Sequence, residues 1–491
     1  MAKSDKYIRA AIIKQIKEKY TNFNQLKAKD KKEILNDLWP LMQNSNIQLS
    51  EEEILGIHKL PDNIITLRDM KLRMLENKKW RHYMNPKINA INDDELRFLE
   101  ELIDWRLINQ LLVNKKYTPG KRDIHPVQFF KAELLKQLKY PEISYRKYDE
   151  REINNPERKE NRAFLLLRGC QRITHDQLSK FRASLDYRSL LNVLVYFIAL
   201  FLDSKDLKEA CFHGVDSTEL AVKLKPYPLF KATVGGEKIR FYSDIDCDLG
   251  RRRNKRDKSR YILGYRMHTL TVIDPQSGQA YPLISLLAAA NHHDSNFLET
   301  LLKLAQAIGL DVKLVVADQA YGSEQEYDVF YNTYGARLLN NPKEIVRAPQ
   351  YVDRDNGQVR KNSLCEFPMK YMGRDIQKGH EFHCNANDYQ CPFENSCDKI
   401  RFIKMDSGLF GLLPVHHIKQ AGKALQMRKV IERPFNLIKH RDGLEPLRTK
   451  GMVNSTFAAV TSNITTLVIE LAGFRKKMKK KEKAESRKKV A

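Results

Sequence analysis

A chain of 491 residues is too long for one ordinary hydrophobic core, so two or three domains are expected. Its 86 Lys and Arg against 61 Asp and Glu leave a formal charge of +25, which points to a polyanionic partner, nucleic acid first. The most apolar run, 193–202, is broken by Asn192 and closed by Asp203, well short of the ~20 residues a bilayer crossing needs, so no membrane partner is expected.

The first residues, Met1-Ala-Lys-Ser-Asp-Lys, lack the apolar run of a signal peptide. Seven scattered cysteines argue against a disulfide framework, so a reduced, cytoplasmic setting is expected. Residues 1–125 read as a helical N-terminal region of short amphipathic helices, with breaks at Pro40, Pro61 and Pro86. The pattern strengthens over 126–202, where Thr174-His-Asp-Gln177 has the form of a capping box opening a helix. Lys180 and Arg182 on that helix are candidate DNA contacts, and the whole stretch is the probable DNA-binding region.

After Asp203 the pattern changes to short apolar runs separated by turns, the mark of an α/β domain. Strands are expected at 210–215, 262–273, 281–289, 312–317 and 336–339, with an amphipathic helix at 295–308. The loop 251–260 carries seven basic residues against one acid and suits a phosphate backbone. Residues 203–340 are thus the first part of a catalytic core. Residues 341–415, turn-rich and holding four of the seven cysteines, read as an insertion. The core resumes over 416–474. A basic tail, 475–491, has ten basic residues against two acids over 475–489 and reads as disordered; without it the chain still carries about +17 by the same count.

Three acids have the placement that a divalent metal site wants. Asp216 follows the apolar run 211–215 and Asp318 follows Leu314-Val-Val-Ala317, so both fall at strand ends, where ligands of open α/β sheets bind. Glu432 sits with Arg428, Phe435 and Lys439 at spacings 0, 4, 7 and 11, one face of an α-helix, although Pro434 is comfortable only in a first turn or at a kink. Three converging carboxylates can hold two hard cations such as Mg²⁺ about 4 Å apart. Taken singly each acid is ordinary, a turn aspartate or a helix-surface glutamate.

In combination, Val215-Asp216-Ser217-Thr218, Ala317-Asp318-Gln319-Ala320-Tyr321-Gly322-Ser323 and Arg428-x3-Glu432-x6-Lys439 resemble the DDE transposases of bacterial insertion sequences, in the insertion-sequence-four-like group. Gly264-Tyr265-Arg266-Met267-His268 and Asn291-His292-His293-Asp294-Ser295 add to the likeness, which spans about 203–460 and more loosely 126–190. The resemblance implies a ribonuclease H-like mixed sheet flanked by helices. It implies Asp216, Asp318 and Glu432 as catalytic metal ligands for two Mg²⁺ or Mn²⁺ ions, and Arg428 and Lys439 as DNA contacts. It implies metal-dependent cleavage and strand transfer between element ends and target DNA by a homodimer or higher oligomer. The Tyr that often stands three residues before the Arg is here Leu425.

Asp244-Ile-Asp246-Cys-Asp248 is no calcium loop, since Leu249 stands where Gly is needed and Lys255 where Glu is needed. By the resemblance it is a non-catalytic acidic segment before the second strand. Cys365, Cys384, Cys391 and Cys397 offer soft ligands for a structural Zn²⁺, but their spacings exceed the usual two to four residues, and reduced structural cysteines are the plainer reading. His292, His293 and Asp294 read as a turn beside the site. Two other functions compete: a transposase-derived DNA-binding protein without catalysis, and a ribonuclease H-like structure-selective nuclease.

Overall fold

The apolar runs after residue 211 close into a six-stranded mixed sheet. Its strands are β1 (Phe212–Ala221), β4 (Asp248–Arg252), β5 (Arg260–Asp274), β6 (Gln279–Ala289), β7 (Leu314–Ala317) and β8 (Arg337–Leu339); the hairpin of β2 (Phe230–Val234) and β3 (Glu237–Phe241) stands apart. The computed structural model describes residues 5–490 apart from 21–22, 44–46, 79–87, 113–123, 208–211, 235–236, 253–259, 322–329, 331–332, 341–358, 362–364, 366, 376, 385–390, 392–396, 404–425 and 442–443. The basic loop therefore lies largely outside the described residues, as does Leu425.

The sheet runs β4-β5-β1-β7-β8, with β6 on the same edge of β5 as β4 but farther along it. β1 is antiparallel to β5 and parallel to β7, and β7 is parallel to β8. Each of the five expected strands is present, because fully buried Val, Leu and Ile runs bounded by turns leave little choice of element. The expected helix appears as Leu298–Ala307. At the β1–β5 crossing a Cβ on Gly264 would stand 2.0 Å from the carbonyl oxygen of Leu220, so no larger residue fits there.

Alternation along β1, β5 and β7 divides the core between two faces. Val215, Leu270, Val315 and Ala317 join one apolar cluster with the helices Pro126–Lys139 and Tyr187–Ser204. Leu220, Tyr265, Met267 and Val316 join the other, with Ile431, Phe435 and Ile438. Helix Tyr187–Ser204 is buried through residues 189–202, and it and the stretch Met452–Gly473 are the two described helices long and apolar enough to cross a membrane; both are mostly covered by the fold itself.

Three expectations change. Pro40 lies inside helix Ala28–Gln43 and does not end it, because in the last turns Pro forfeits little beyond its own amide bond. The long helix Met452–Val490 runs on through the basic stretch after 474, where Lys, Arg, Glu and Ala are good helix formers. Within 341–415 a three-stranded antiparallel sheet forms from β9 (Met369–Asp375), β10 (Gly379–Cys384) and β11 (Ile400–Ile403) around Val359, Met369, Phe382 and Ile403.

The helical region is tied to the core through polar groups that the sequence did not reveal. The capping box forms as read: Gln177 N–H donates to Thr174 Oγ1 at 3.3 Å and Thr174 N–H to Gln177 Oε1 at 2.9 Å. Arg182, however, is buried in an ion pair with Glu133, which also accepts the Tyr145 hydroxyl at 2.7 Å. Its charge is taken up inside the fold, where a surface cation was expected.

Candidate active site

Val215 and Ala317 are register partners in the parallel β1–β7 pair, so the next residues, Asp216 and Asp318, emerge side by side. By alternation both point to the face that carries Gly214 and Val316, the face covered by the segment 427–441. Arg428, on the 3₁₀ turn Met427–Ile431, places its guanidinium Nη1 3.1 Å from Asp318 Oδ1. Burial pushes the Asp216 carboxyl up to about 7, the Asp318 charge adds to that, and the Ser217 N–H bond and Arg428 oppose it.

The 3₁₀ geometry changes which residues share the sheet-facing side. Three residues per turn put Ile431 under Arg428, where an α-helix would have brought Glu432 closer. The side turned to the sheet is Arg428, Ile431, Phe435 and Ile438, while Glu432, first residue of the helix Glu432–Asn436, is exposed. Ile431 fills the space over Gly214: a Cβ there would lie 2.2 Å from its Cδ1. Pro434 is accommodated in that helix's first turn, as its chemistry requires.

Lys439 is only 7% exposed and pairs with Glu445 at 3.0 Å. Glu445 accepts the Ala221 N–H, so Lys439 belongs to the far end of β1, about 17 Å of strand from Asp216. The sequence placed it in the same cleft; the structure separates the two because the segment ends in the π-turn Leu437–Arg441 and runs along β1. Among the described residues no group of three or more His, Cys, Asp or Glu side chains converges for a metal ion. Asp216 and Asp318 thus stand as a pair, and Cys365, Cys384, Cys391 and Cys397 are all free and half-buried.

Behind β1, on the opposite face, is a network that sequence reading reduced to a turn. Asp294 Oδ1 accepts the Ser217 hydroxyl at 2.9 Å and Arg266 Nη1 at 2.9 Å, and Arg266 also reaches Glu219 at 3.3 Å. His268 is buried and stacked on Phe297, with ring centroids 4.0 Å apart. Burial, then the Arg266 charge, keeps it neutral. The signal was present in Arg266 and Asp294, charges set among apolar or small neighbours, but nothing local says that they meet.

The acidic segment 244–248 is equally occupied. Asp244 Oδ2 accepts the Tyr265 hydroxyl at 2.7 Å and the Gly451 N–H at 2.9 Å; Asp246 Oδ2 accepts the Met452 N–H at 2.8 Å and its Oδ1 meets Lys17 at 2.8 Å. Arg9 lies 3.4 Å from Asp248 and donates to the carbonyls of Ile245 and Cys247, both at 2.9 Å. These acids fasten the N-terminal helix Asp5–Lys19 and the start of the C-terminal helix to the core, in keeping with the rejection of a calcium site.

Two acids side by side on neighbouring parallel strands, Asp216 midway along β1 and Asp318 just past the end of β7, the first with its carboxyl driven up by burial and by the other's charge, and a guanidinium beside them define a site suited to hard cations and phosphoryl oxygens. Residues 215–382 match the family model of the transposase DDE domain, so this part of the chain is similar to that domain. No curated protein matches the chain. The solved piggyBac transposase synaptic complex with hairpin DNA aligns over 86% of this chain and 84% of its own at 10% identity, but its TM-score of 0.22 is too low to define a common fold.

Packing of Ile431 on Gly214 gives a first prediction. Gly214→Ala should overpack the contact by about 1–3 kcal/mol and displace the Arg428 segment, lowering the melting temperature. Adding Ile431→Ala should restore the space and recover part of that loss. A double variant as impaired as the single one removes this contact as the positioning device.

Proposed function

We propose that the chain is a DDE transposase that cuts DNA at the ends of a mobile element and joins them to a target. The side-by-side Asp216 and Asp318 carry this reading, with Arg428 at 3.1 Å from Asp318 and the domain match around them as support. The mixed six-stranded sheet, with three antiparallel strand pairings and two parallel ones, fits a ribonuclease H-like core. The donor set fits Mg²⁺ or Mn²⁺: Asp216 and Asp318 would hold the ions, Glu432 would complete the site, and metal ions there supply Lewis acidity for the attacking and leaving oxygens.

The chain's own residues have separate tasks. Arg428, held by Asp318, is in place to receive a non-bridging phosphate oxygen and orient the scissile bond. The Asp294–Ser217 bond braces β1 directly behind Asp216. Glu432 is exposed one residue beyond the Ile431 contact, so completing the site would require this short helix to turn when DNA binds. The test is a plasmid assay with the element's ends in Mg²⁺ or Mn²⁺. Nicked product whose ends are joined to target supports a transposase; nicks that are never joined assign a nuclease; binding without cutting assigns a DNA-binding derivative.

The +25 charge carries a second prediction. Affinity for duplex DNA should fall steeply with salt, since each phosphate neutralised contributes about −0.9 to the slope of log K against log salt. Truncation after Gly473 should leave a shallower but definite slope. A salt-independent affinity contradicts a nucleic-acid role for the charge of the body.

A further inference from the structure

A cavity of about 770 Å³ opens where the N-terminal helix, the helix His175–Ser184 and the loop entering the C-terminal helix meet. Four cations line it, Lys17, Arg182, Arg448 and Lys450, against one acid, Asp246. Asp246 is already used by Lys17 and the Met452 N–H, and Arg182 by Glu133. Among the described residues Arg448 makes an outlying contact with the exposed Glu142, at 4.0 Å. Positive charge at this place is therefore incompletely neutralised.

Three neighbouring groups are held down mainly by burial, with a smaller cationic contribution that Asp244, Glu133, Glu142 and Asp246 oppose. Lys31 is pushed down by burial and then by Lys450, Lys136 is pushed down to about 8 by burial and then by Arg448, and His58 is held near 4 by burial and then by Lys17. Cations that repel one another around an open cavity are stabilised by an anion.

Position argues for which anion. Leu447 bridges to Val222, and its N–H donates to the Ala221 carbonyl at 2.8 Å, so Arg448 begins at the end of β1. From Asp216 to Ala221 is about 17 Å of strand, roughly five base pairs of duplex at 3.4 Å each. A duplex reacting at the two aspartates still carries backbone phosphates at that distance.

We propose that Arg448 and Lys450, at the rim of this cavity, grip the backbone phosphates of the bound DNA roughly five base pairs from the reacting bond. The grip rests on the reading that Asp216 and Asp318 act on DNA. It differs from Arg428 in being outside the reacting centre, so it serves affinity and register and not the chemical step.

The test uses the full chain and a fluorescently labelled duplex of about 30 base pairs, with affinity read by anisotropy over a range of salt. Arg448→Gln with Lys450→Gln should weaken binding about tenfold or more at low salt and lower the salt slope by about 2. Lys303→Gln with Lys313→Gln removes the same charge from exposed lysines paired to Glu299 and Asp311, and should leave the slope nearly unchanged. Equal slopes for the two double variants overturn the proposal. So does a difference that vanishes when inorganic phosphate at millimolar concentration is added, since that marks a small-anion pocket. Loss of binding in the rim variant of a chain that never cuts DNA would keep this site and sink the transposase reading. Cutting that survives with an unchanged slope would do the reverse.

Discussion

Asp216→Asn and Asp318→Asn should each lose cleavage by about a thousandfold, roughly 4 kcal/mol of transition-state stabilisation, with duplex binding nearly intact. The reason is geometric: the two carboxylates lie on one face of neighbouring parallel strands, beside the Arg428 guanidinium. Asp216→Asn should also raise the melting temperature of the metal-free protein. Its carboxyl stands near 7 in the folded chain against 3.8 ordinarily, so between those values the folded state binds the extra proton and stability falls as pH rises. The asparagine variant escapes that loss. Its advantage should be absent below about pH 4, grow up to about pH 7 and stay constant above. Mg²⁺ should raise the melting temperature of the unaltered protein at pH 8 and leave that of Asp216→Asn unmoved. A variant that cuts at near-normal rate, or that melts lower than the parent at pH 8, removes Asp216 from the site.

Asp244→Ala should be among the most destabilising single changes in the chain, by about 3–5 kcal/mol. Its carboxylate is completely buried and accepts from the Tyr265 hydroxyl, the Gly451 N–H and the Asp246 N–H, the last at 3.1 Å, so alanine strands three donors. Burial, then the Asp246 charge, already pushes the Asp244 carboxyl up, and Asp244→Asn should therefore lose much less than alanine. Because the segment joins the N-terminal helix to the start of the C-terminal one, hydrogen exchange should rise together in residues 5–19 and 452–460. Exchange that rises in only one of the two, or an alanine variant as stable as the asparagine one, breaks the idea of a shared fastening.

The strands of the core were legible because each is a short apolar run ended by a turn, and that pattern needs no partner to be read. The helix-capping residues were legible for the same reason: Thr174 and Gln177 satisfy each other locally. The side of the Arg428 segment was not. Its spacing fits an α-helix, and the observed 3₁₀ turn follows from seating Ile431 against Gly214, a residue 217 positions earlier.

Charges were misread in the same way. Arg182 and Lys439 look like surface cations in one dimension, but Glu133 and Glu445 take them inside. The acidic segment 244–248 was set aside for want of a calcium pattern, and its task as a fastening depends on Arg9, Lys17 and the Gly451 and Met452 amides, which only folding brings near.

By itself the sequence determined the element types of the core, the place of Asp318 just past a strand end, and the excess positive charge, since these depend on local periodicity and composition. Asp216, expected at a strand end, stands inside β1, which continues to Ala221 because its pairing with β5 continues. Only the tertiary structure decided that the two aspartates adjoin, that Arg428 stands against Asp318 while Glu432 faces outward, and which cations are spent in the interior. Those outcomes turn on register between strands about a hundred residues apart and on which charges burial forces into pairs, and neither quantity is carried by any short stretch of chain.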